Sequence, residues 1–179
     1  EPTIERYVSY LERAFLVFTL PNYSGTEAAR QRRGKKLYFV DGAVRNAALQ
    51  RGLAPLSNAV EMGVLIENLA ASHLHALGQH SQTRIYHWRY QNDEIDLVYD
   101  HPEFPLAFEI GSSSSHSRCG MYRFIEQHPR FKGRCYLVAP EVATRKASNS
   151  AEGIGTIALD LFLLAVSAQA AELRRRLGA

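Results

Sequence analysis

The chain has 179 residues, 46% of them apolar and 22% charged, with a formal net charge of +3. That is enough for one domain with a real core, or for a domain with a small appendage, and it excludes wholesale disorder. No apolar run approaches the roughly 18 residues of a membrane span and no leader-like segment opens the chain, so the expectation is a cytoplasmic protein without a membrane partner. Two cysteines, Cys119 and Cys135, are too few for a disulfide framework and lack metal-site spacing. They read as buried free thiols, and zinc is not suggested. The sequence begins Glu-Pro-Thr rather than with Met, as expected of a piece of something longer.

Residues 4–14 carry apolar side chains at helical spacing through Ile4, Tyr7, Val8 and Leu11, and FLVFTL follows as a strand. A loop containing Gly25 and Gly34 leads to a second strand, KLYFVD. Helix, strand, basic loop and strand together make a winged-helix-like ending. Five bases crowd the loop, Arg30, Arg32, Arg33, Lys35 and Lys36. Such a cluster can meet the phosphates of DNA or another nucleic acid, and it can equally be a solvated loop. Asp41 can cap a short helix, AVRNAAL, which Gly52 and Pro55 close. A boundary is expected there, with a winged-helix-like segment over residues 1–52 and a second domain over 53–179.

A helix is predicted from Asn58 to Leu77. Glu61, Asn68, Ser72, His75 and Gln79 fall on one side of it, and Met62, Gly63, Ile66, Leu69, Ala70, Leu74 and Leu77 on the other. Glu67 breaks this division. Its helical neighbours are Gly63, Val64, Ala70 and Ala71, so its carboxylate emerges beside small apolar residues, where a charge is costly unless paired or bound to a metal.

TRIYHWRY is then a strand, followed by EIDLVYD and PLAFEIG around the loop His101–Phe104. Strict alternation puts Glu94, Asp96 and Val98 on one face and Ile95, Leu97 and Tyr99 on the other; Leu106, Phe108 and Ile110 likewise share a face. If 101–104 is the hairpin loop, Asp100 pairs with Pro105 and Asp96 with Glu109. Like charges so placed have Cβ atoms roughly 5 Å apart and repel, so a cation is called for. A Ser-rich turn, a helix near Ser117–Gln127, the strands RCYLVAP and GIGTIAL, and a last helix capped by Asp160 complete the chain. Helices interleaved with strands imply an α/β domain with a mixed sheet. The GxxxxGKS/T phosphate loop is absent, so these residues are not expected to hydrolyse ATP by themselves.

An acid on a helix, an aspartate on a strand and a glutamate on its neighbour resemble the acidic set of the PD-(D/E)XK restriction-endonuclease-like superfamily. The segments YVSYLERAFLVFTLP, KKLYFVDGAVRNAAL, GVLIENLAASHL, IYHWRYQNDEIDLV, FEIG and GTIALDLFLL resemble, in order, the domain of unknown function 4143 that follows the AAA+ module in many prokaryotic ATP-binding proteins. The resemblance implies a restriction-endonuclease-like mixed sheet flanked by helices, with Glu67, Asp96 and Glu109 as catalytic metal ligands for Mg²⁺ or Mn²⁺. It also implies an upstream AAA+ domain as partner, with ATP bound only there, and a nucleic-acid substrate. A lysine is expected two positions after Glu109, and this chain has Gly111 followed by Ser112–Ser115. Glycine supplies no positive charge; Arg118 and Arg123 on the following helix are the candidate substitutes, with Arg84, Arg89 and His116 also nearby. Two functions follow from the resemblance. One is a nuclease-like domain with a metal-dependent phosphodiesterase site. The other is a non-catalytic module for docking, homo-oligomerisation or regulation of the upstream ATPase, with the acids satisfied by arginines.

Overall fold

The computed structural model describes residues 2–24, 26, 34–111, 116–140, 148–149 and 153–177. Arg30, Arg32, Arg33 and Ser112–Ser115 lie outside the described residues.

Helix α1 (Pro2–Arg13) leads through a turn into β1 (Val17–Leu20), which pairs antiparallel with β2 (Lys36–Phe39), Val17 opposite Phe39 and Leu20 opposite Lys36. This is the helix and two-stranded sheet expected of the N-terminal segment. Helix α2 (Gly42–Ala48) follows, with Asp41 accepting from Ala43 N–H at 2.8 Å as its cap. Helix α3 (Ala59–Ser81) is capped by Asn58, which accepts from Val60 N and Glu61 N. It runs about a turn past the expected end at Leu77 and stops at Gln82, held left-handed at φ 51°.

The remaining elements are β3 (Ile85–Tyr90), β4 (Asp93–Tyr99), β5 (Leu106–Ile110), α4 (Cys119–Gln127), β6 (Cys135–Ala139), β7 (Ser148–Asn149), β8 (Ile154–Ala158) and α5 (Leu159–Leu177). Their sheet has the order β3-β4-β5-β6-β8-β7. The β3–β4 and β4–β5 pairs are antiparallel, β5–β6 and β6–β8 parallel, and β7 antiparallel to β8. The fold is therefore α/β with a mixed sheet flanked by helices. No helix among the described residues is long and apolar enough to cross a membrane.

Two apolar clusters hold the layers together, one on each face of the sheet. On one face Leu74 and Leu77 of α3 and Phe162, Val166 and Ala170 of α5 pack on Leu97, Tyr99, Phe108 and Val138. Phe18, Leu20 and Tyr38 of the β1–β2 pair belong to the same cluster. On the other face Met121 and Phe124 of α4 pack with Phe131 on Trp88, Ile95, Val98, Ala107 and Leu137. Helix α4 lies so close to β4 that a Cβ on Gly120 would come within 2.7 Å of Glu94 O; only glycine fits there. The outer edge of β3 is covered by the chain leaving β1, with Tyr23 N–H donating to His87 O at 2.6 Å and His87 N–H to Pro21 O at 3.1 Å.

Two expectations about side-chain placement are corrected. Helix α3 is rotated from its expected seating: Asn68, assigned to the polar side, is 4% exposed, whereas Leu69 is 40% exposed. The reason is polar pairing. Asn68 Oδ1 accepts from Phe39 N–H at 2.8 Å and its amide donates to Phe39 O at 3.0 Å, so one side chain satisfies both backbone groups of a β2 residue. Leaving them bare would cost more than exposing one leucine. Cys135 is buried as expected, but Cys119 is exposed at the first turn of α4.

Asn68→Ala removes both partners of Phe39. We expect a loss of about 2 kcal/mol, and hence a melting temperature lower by roughly 4–8 °C, in a thermal melt read by circular dichroism. A variant that melts with the wild type would show that β2 is held by other contacts.

Candidate functional site

The site forms where β4 begins and β5 ends. The β4–β5 ladder runs Tyr99–Leu106, Val98–Ala107, Leu97–Phe108, which is the register that places Asp96 opposite Glu109. Regular pairing stops there. Instead, the Asp96 side chain takes the next backbone donor, with Ile110 N–H donating to Oδ2 at 2.9 Å.

On its other side β4 does not alternate as expected. Its register with β3 passes from Tyr86–Val98 to Trp88–Ile95, so Asp96 and Leu97 together face the single residue His87. This is a β-bulge, which re-aims the side chains around it. Ile95 joins Val98 in the cluster under α4 rather than Leu97 in the cluster under α3. Asp96 and Glu94, each next to Ile95, consequently face the α3 side.

There they meet Lys36. Its Nζ donates to Asp96 Oδ1 at 2.6 Å and to Glu67 Oε1 at 3.1 Å, and Glu94 Oε2 lies 4.0 Å away. Glu67 reaches the cluster from α3 and is further fixed by Tyr38, whose hydroxyl donates to the same Oε1 at 2.7 Å. Lys36 and Tyr38 are two residues apart on β2 and so share a face. Burial alone would push the Lys36 ammonium down, but Asp96, Glu67 and Glu94 together outweigh it and hold its pKa above the ordinary lysine value. Burial, with Glu67 beside it, pushes the Tyr38 hydroxyl strongly up, so it remains a donor.

Glu109 stands beside this cluster in a different state. It shares the α4 face with Ala107 and, through the parallel register, with Leu137. It is 8% exposed. Oε1 lies 3.3 Å from His116 Nε2, while Oε2 is buried with no hydrogen-bond partner among the described residues. Burial first, then the negative charges of Asp96, Glu94 and Glu67, push its pKa up to about 9 against the opposing pull of Lys36.

Among the sequence-derived site residues, Glu67 and Asp96 therefore meet on one ammonium and Glu109 lies within their field. Lys36, expected among the phosphate contacts, is their counter-ion. Lys35 is exposed. The two arginines considered as substitute cations are engaged elsewhere: Arg118 donates to Thr156 Oγ1 at 3.0 Å, and Arg123 pairs with Asp93 at 2.7 Å. Among the described residues no three His, Cys, Asp or Glu side chains, as they stand, are grouped closely enough to hold a metal ion.

Glu109 makes stability fall with pH. Its folded pKa of about 9 lies above the ordinary carboxyl value of 4.5, so the folded chain keeps a proton that the unfolded chain releases across that interval. The stabilisation is complete below the lower value and is lost as pH rises through the upper one. We expect Glu109→Gln, which is permanently neutral, to melt close to wild type near pH 5 and several degrees above it near pH 9. Parallel pH profiles of the two proteins would refute the assignment.

Two family models match the chain. One, described as a domain of unknown function (DUF8612), covers residues 1–54, which include Lys36 and Tyr38. The other, described as a domain of unknown function (DUF4143), covers residues 62–155, which include Glu67, Asp96 and Glu109. No curated protein and no solved structure matches the chain. Since the second match spans more than half of the 179 residues, the chain belongs to the family of domain of unknown function DUF4143.

Proposed function

We propose that the chain is the nuclease-like C-terminal domain of an AAA+ type ATP-binding protein, associated with nucleic acid, with Glu67, Asp96, Glu109 and Lys36 forming a metal-dependent phosphodiesterase site. The observation that carries this reading is an imbalance of charge: the carboxylates Glu67, Glu94 and Asp96 all bear on the single ammonium of Lys36, with the carboxyl group of Glu109, its pKa pushed up, beside them. A structural ion pair needs one acid, and replacing buried ionic clusters by apolar residues is often neutral or stabilising. A surplus of oxygen donors is what a hard divalent cation requires.

Glu67 and Asp96 would be the ligands of such an ion on the α3 side, and Glu109 stands beside them on the other face. Among the described residues neither Glu109 Oε2, which is buried, nor Glu67 Oε2 has a hydrogen-bond partner. Lys36 Nζ stands where Asp96 Oδ1 and Glu67 Oε1 converge. Bound Mg²⁺ or Mn²⁺ supplies an activated water and neutralises charge on the phosphate. The chain does the rest. Tyr38 orients the Glu67 carboxylate and Ile110 N–H that of Asp96. Lys36, once it gives up its carboxylate partners, donates to a phosphate oxygen, the task that the resemblance assigns to the lysine missing at position 111. His116, at the exposed rim, relays a proton between Glu109 and solvent.

Lys36 and the ion compete for the same oxygens. We expect Lys36→Met to bind Mn²⁺ about tenfold more tightly than wild type by calorimetry and Asp96→Asn to lose that binding. Cleavage of single- or double-stranded DNA or RNA with Mg²⁺ or Mn²⁺ should fall in both variants, by roughly 10²-fold or more. Tighter metal binding together with lost turnover separates a working lysine from a merely structural one. Absence of Mn²⁺ binding to both wild type and Lys36→Met would end the reading.

A further inference from the structure

Beside the acid cluster, where β1 ends, β2 begins and β3 ends, lies a depression of about 360 Å³ lined by Asn22, Gly34, Lys35, Lys36, His87, Arg89, Tyr90 and Gln91. Three of these residues are cations, and among the described residues no carboxylate lines it. Its cations differ in what they hold. Lys36 sends its ammonium into the acid cluster, whereas Lys35 and Arg89 make no ion pair among the described residues. Glu94 is opposite Arg89 in the β3–β4 register and would be its natural partner, yet it leans toward Lys36 at 4.0 Å. Arg89 is left with an open guanidinium at the rim.

The wall is held by fixed contacts. His87 exchanges backbone hydrogen bonds with Pro21 and Tyr23, and its Nε2 lies 3.0 Å from Gly34 O, a partner that can only accept. The Asn22 amide donates to Arg89 O at 3.4 Å. Tyr90 is 40% exposed and stacks on buried Trp88, ring centroids 6.4 Å apart at 17°, so its ring is a braced flat surface at the rim.

We infer that this depression seats a phosphate of a nucleic-acid strand, with Lys35 and Arg89 as its charge partners and Tyr90 as a platform for the adjoining base. An unpaired guanidinium offers the fork suited to phosphate oxygens, and a supported aromatic ring stacks any base. Lys36 is shared by the depression and the acid cluster, so a strand seated here passes directly to the carboxylates. The inference rests on the nucleic-acid part of the proposed function and not on the metal.

The test is binding of a fluorescein-labelled single-stranded oligonucleotide to the whole chain by anisotropy, in EDTA so that no metal takes part, across a salt series. Lys35→Gln and Arg89→Gln should each weaken binding about fivefold, and each should reduce the slope of log affinity against log salt by about one. Tyr90→Ala should weaken binding with the slope unchanged. Lys132→Gln, an exposed lysine outside the depression, should change neither. Equal losses in all the charge variants would show undirected attraction and overturn the seat; so would wild-type affinity in Arg89→Gln, or no binding by the wild type. If inorganic pyrophosphate binds and depends on Arg89 while the oligonucleotide does not, the seat takes a free phosphate and the nucleic-acid assignment fails. The metal reading stands or falls separately, on Mn²⁺ binding at the carboxylates.

Discussion

The Lys36 ammonium is the constraint on which the site depends. Asp96 and Glu109 are both buried, and Glu67 emerges beside them from another element. Carboxylates drawn together in a low-dielectric setting repel strongly unless a cation or a proton intervenes. Lys36 pairs with Asp96 and Glu67, and burial beside these negative charges pushes the Glu109 pKa up, which favours its protonated form. Lys36 is delivered by β2, which is fixed by pairing with β1, by Tyr38 in the core and by Asn68 on its backbone. The N-terminal hairpin is thus part of the site, not an attachment to it.

A purely structural account of the cluster meets a difficulty of proportion. Stability would be served by one acid for one lysine, or by none, because ionic groups must be desolvated before they attract. Extra carboxylates add repulsion, and a Glu109 oxygen without a partner among the described residues adds the cost of an unsatisfied buried acceptor. Such costs call for an explanation other than stability. The acids gather where β4 begins and β5 ends, β5 running parallel to β6 but antiparallel to β4.

Much of this architecture was legible in the sequence because it follows from local rules. The order of helices and strands, the Asp41 cap and the β4–β5 register all came from periodicity and turn length, and the placement of Glu67 among small residues flagged it as needing a partner. What was not legible depends on relations between distant segments. Strict alternation along 94–99 cannot reveal a bulge, since the extra residue appears only against β3. The apolar pattern of α3 favoured Leu69 inward, and only the bare backbone of Phe39, 29 residues away, turns Asn68 inward instead. Lys36 was hidden by its neighbours: in a run of bases it read as one more phosphate contact, although its spacing from Tyr38 already placed the two on one strand face. The free thiols were half legible, Cys135 facing the core and Cys119 opening a helix at the surface.

Supplying the cation from β2 rather than from position 111 has a physical consequence. A lysine at 111 would travel with Glu109 on the same strand and stay beside it whatever the rest of the chain did. Here Gly111 only continues the ladder, its N–H donating to Val138 O at 2.9 Å, and the charge arrives from a separate element. Any displacement of the β1–β2 pair would therefore strip the carboxylates of their counter-ion as well as expose Phe18, Leu20 and Tyr38. The resulting repulsion opposes that displacement, so the cluster locks the hairpin while the hairpin neutralises the cluster. A divalent ion that took over the carboxylates would break this mutual dependence, leaving Lys36 free to meet a phosphate without loss of charge balance at the acids.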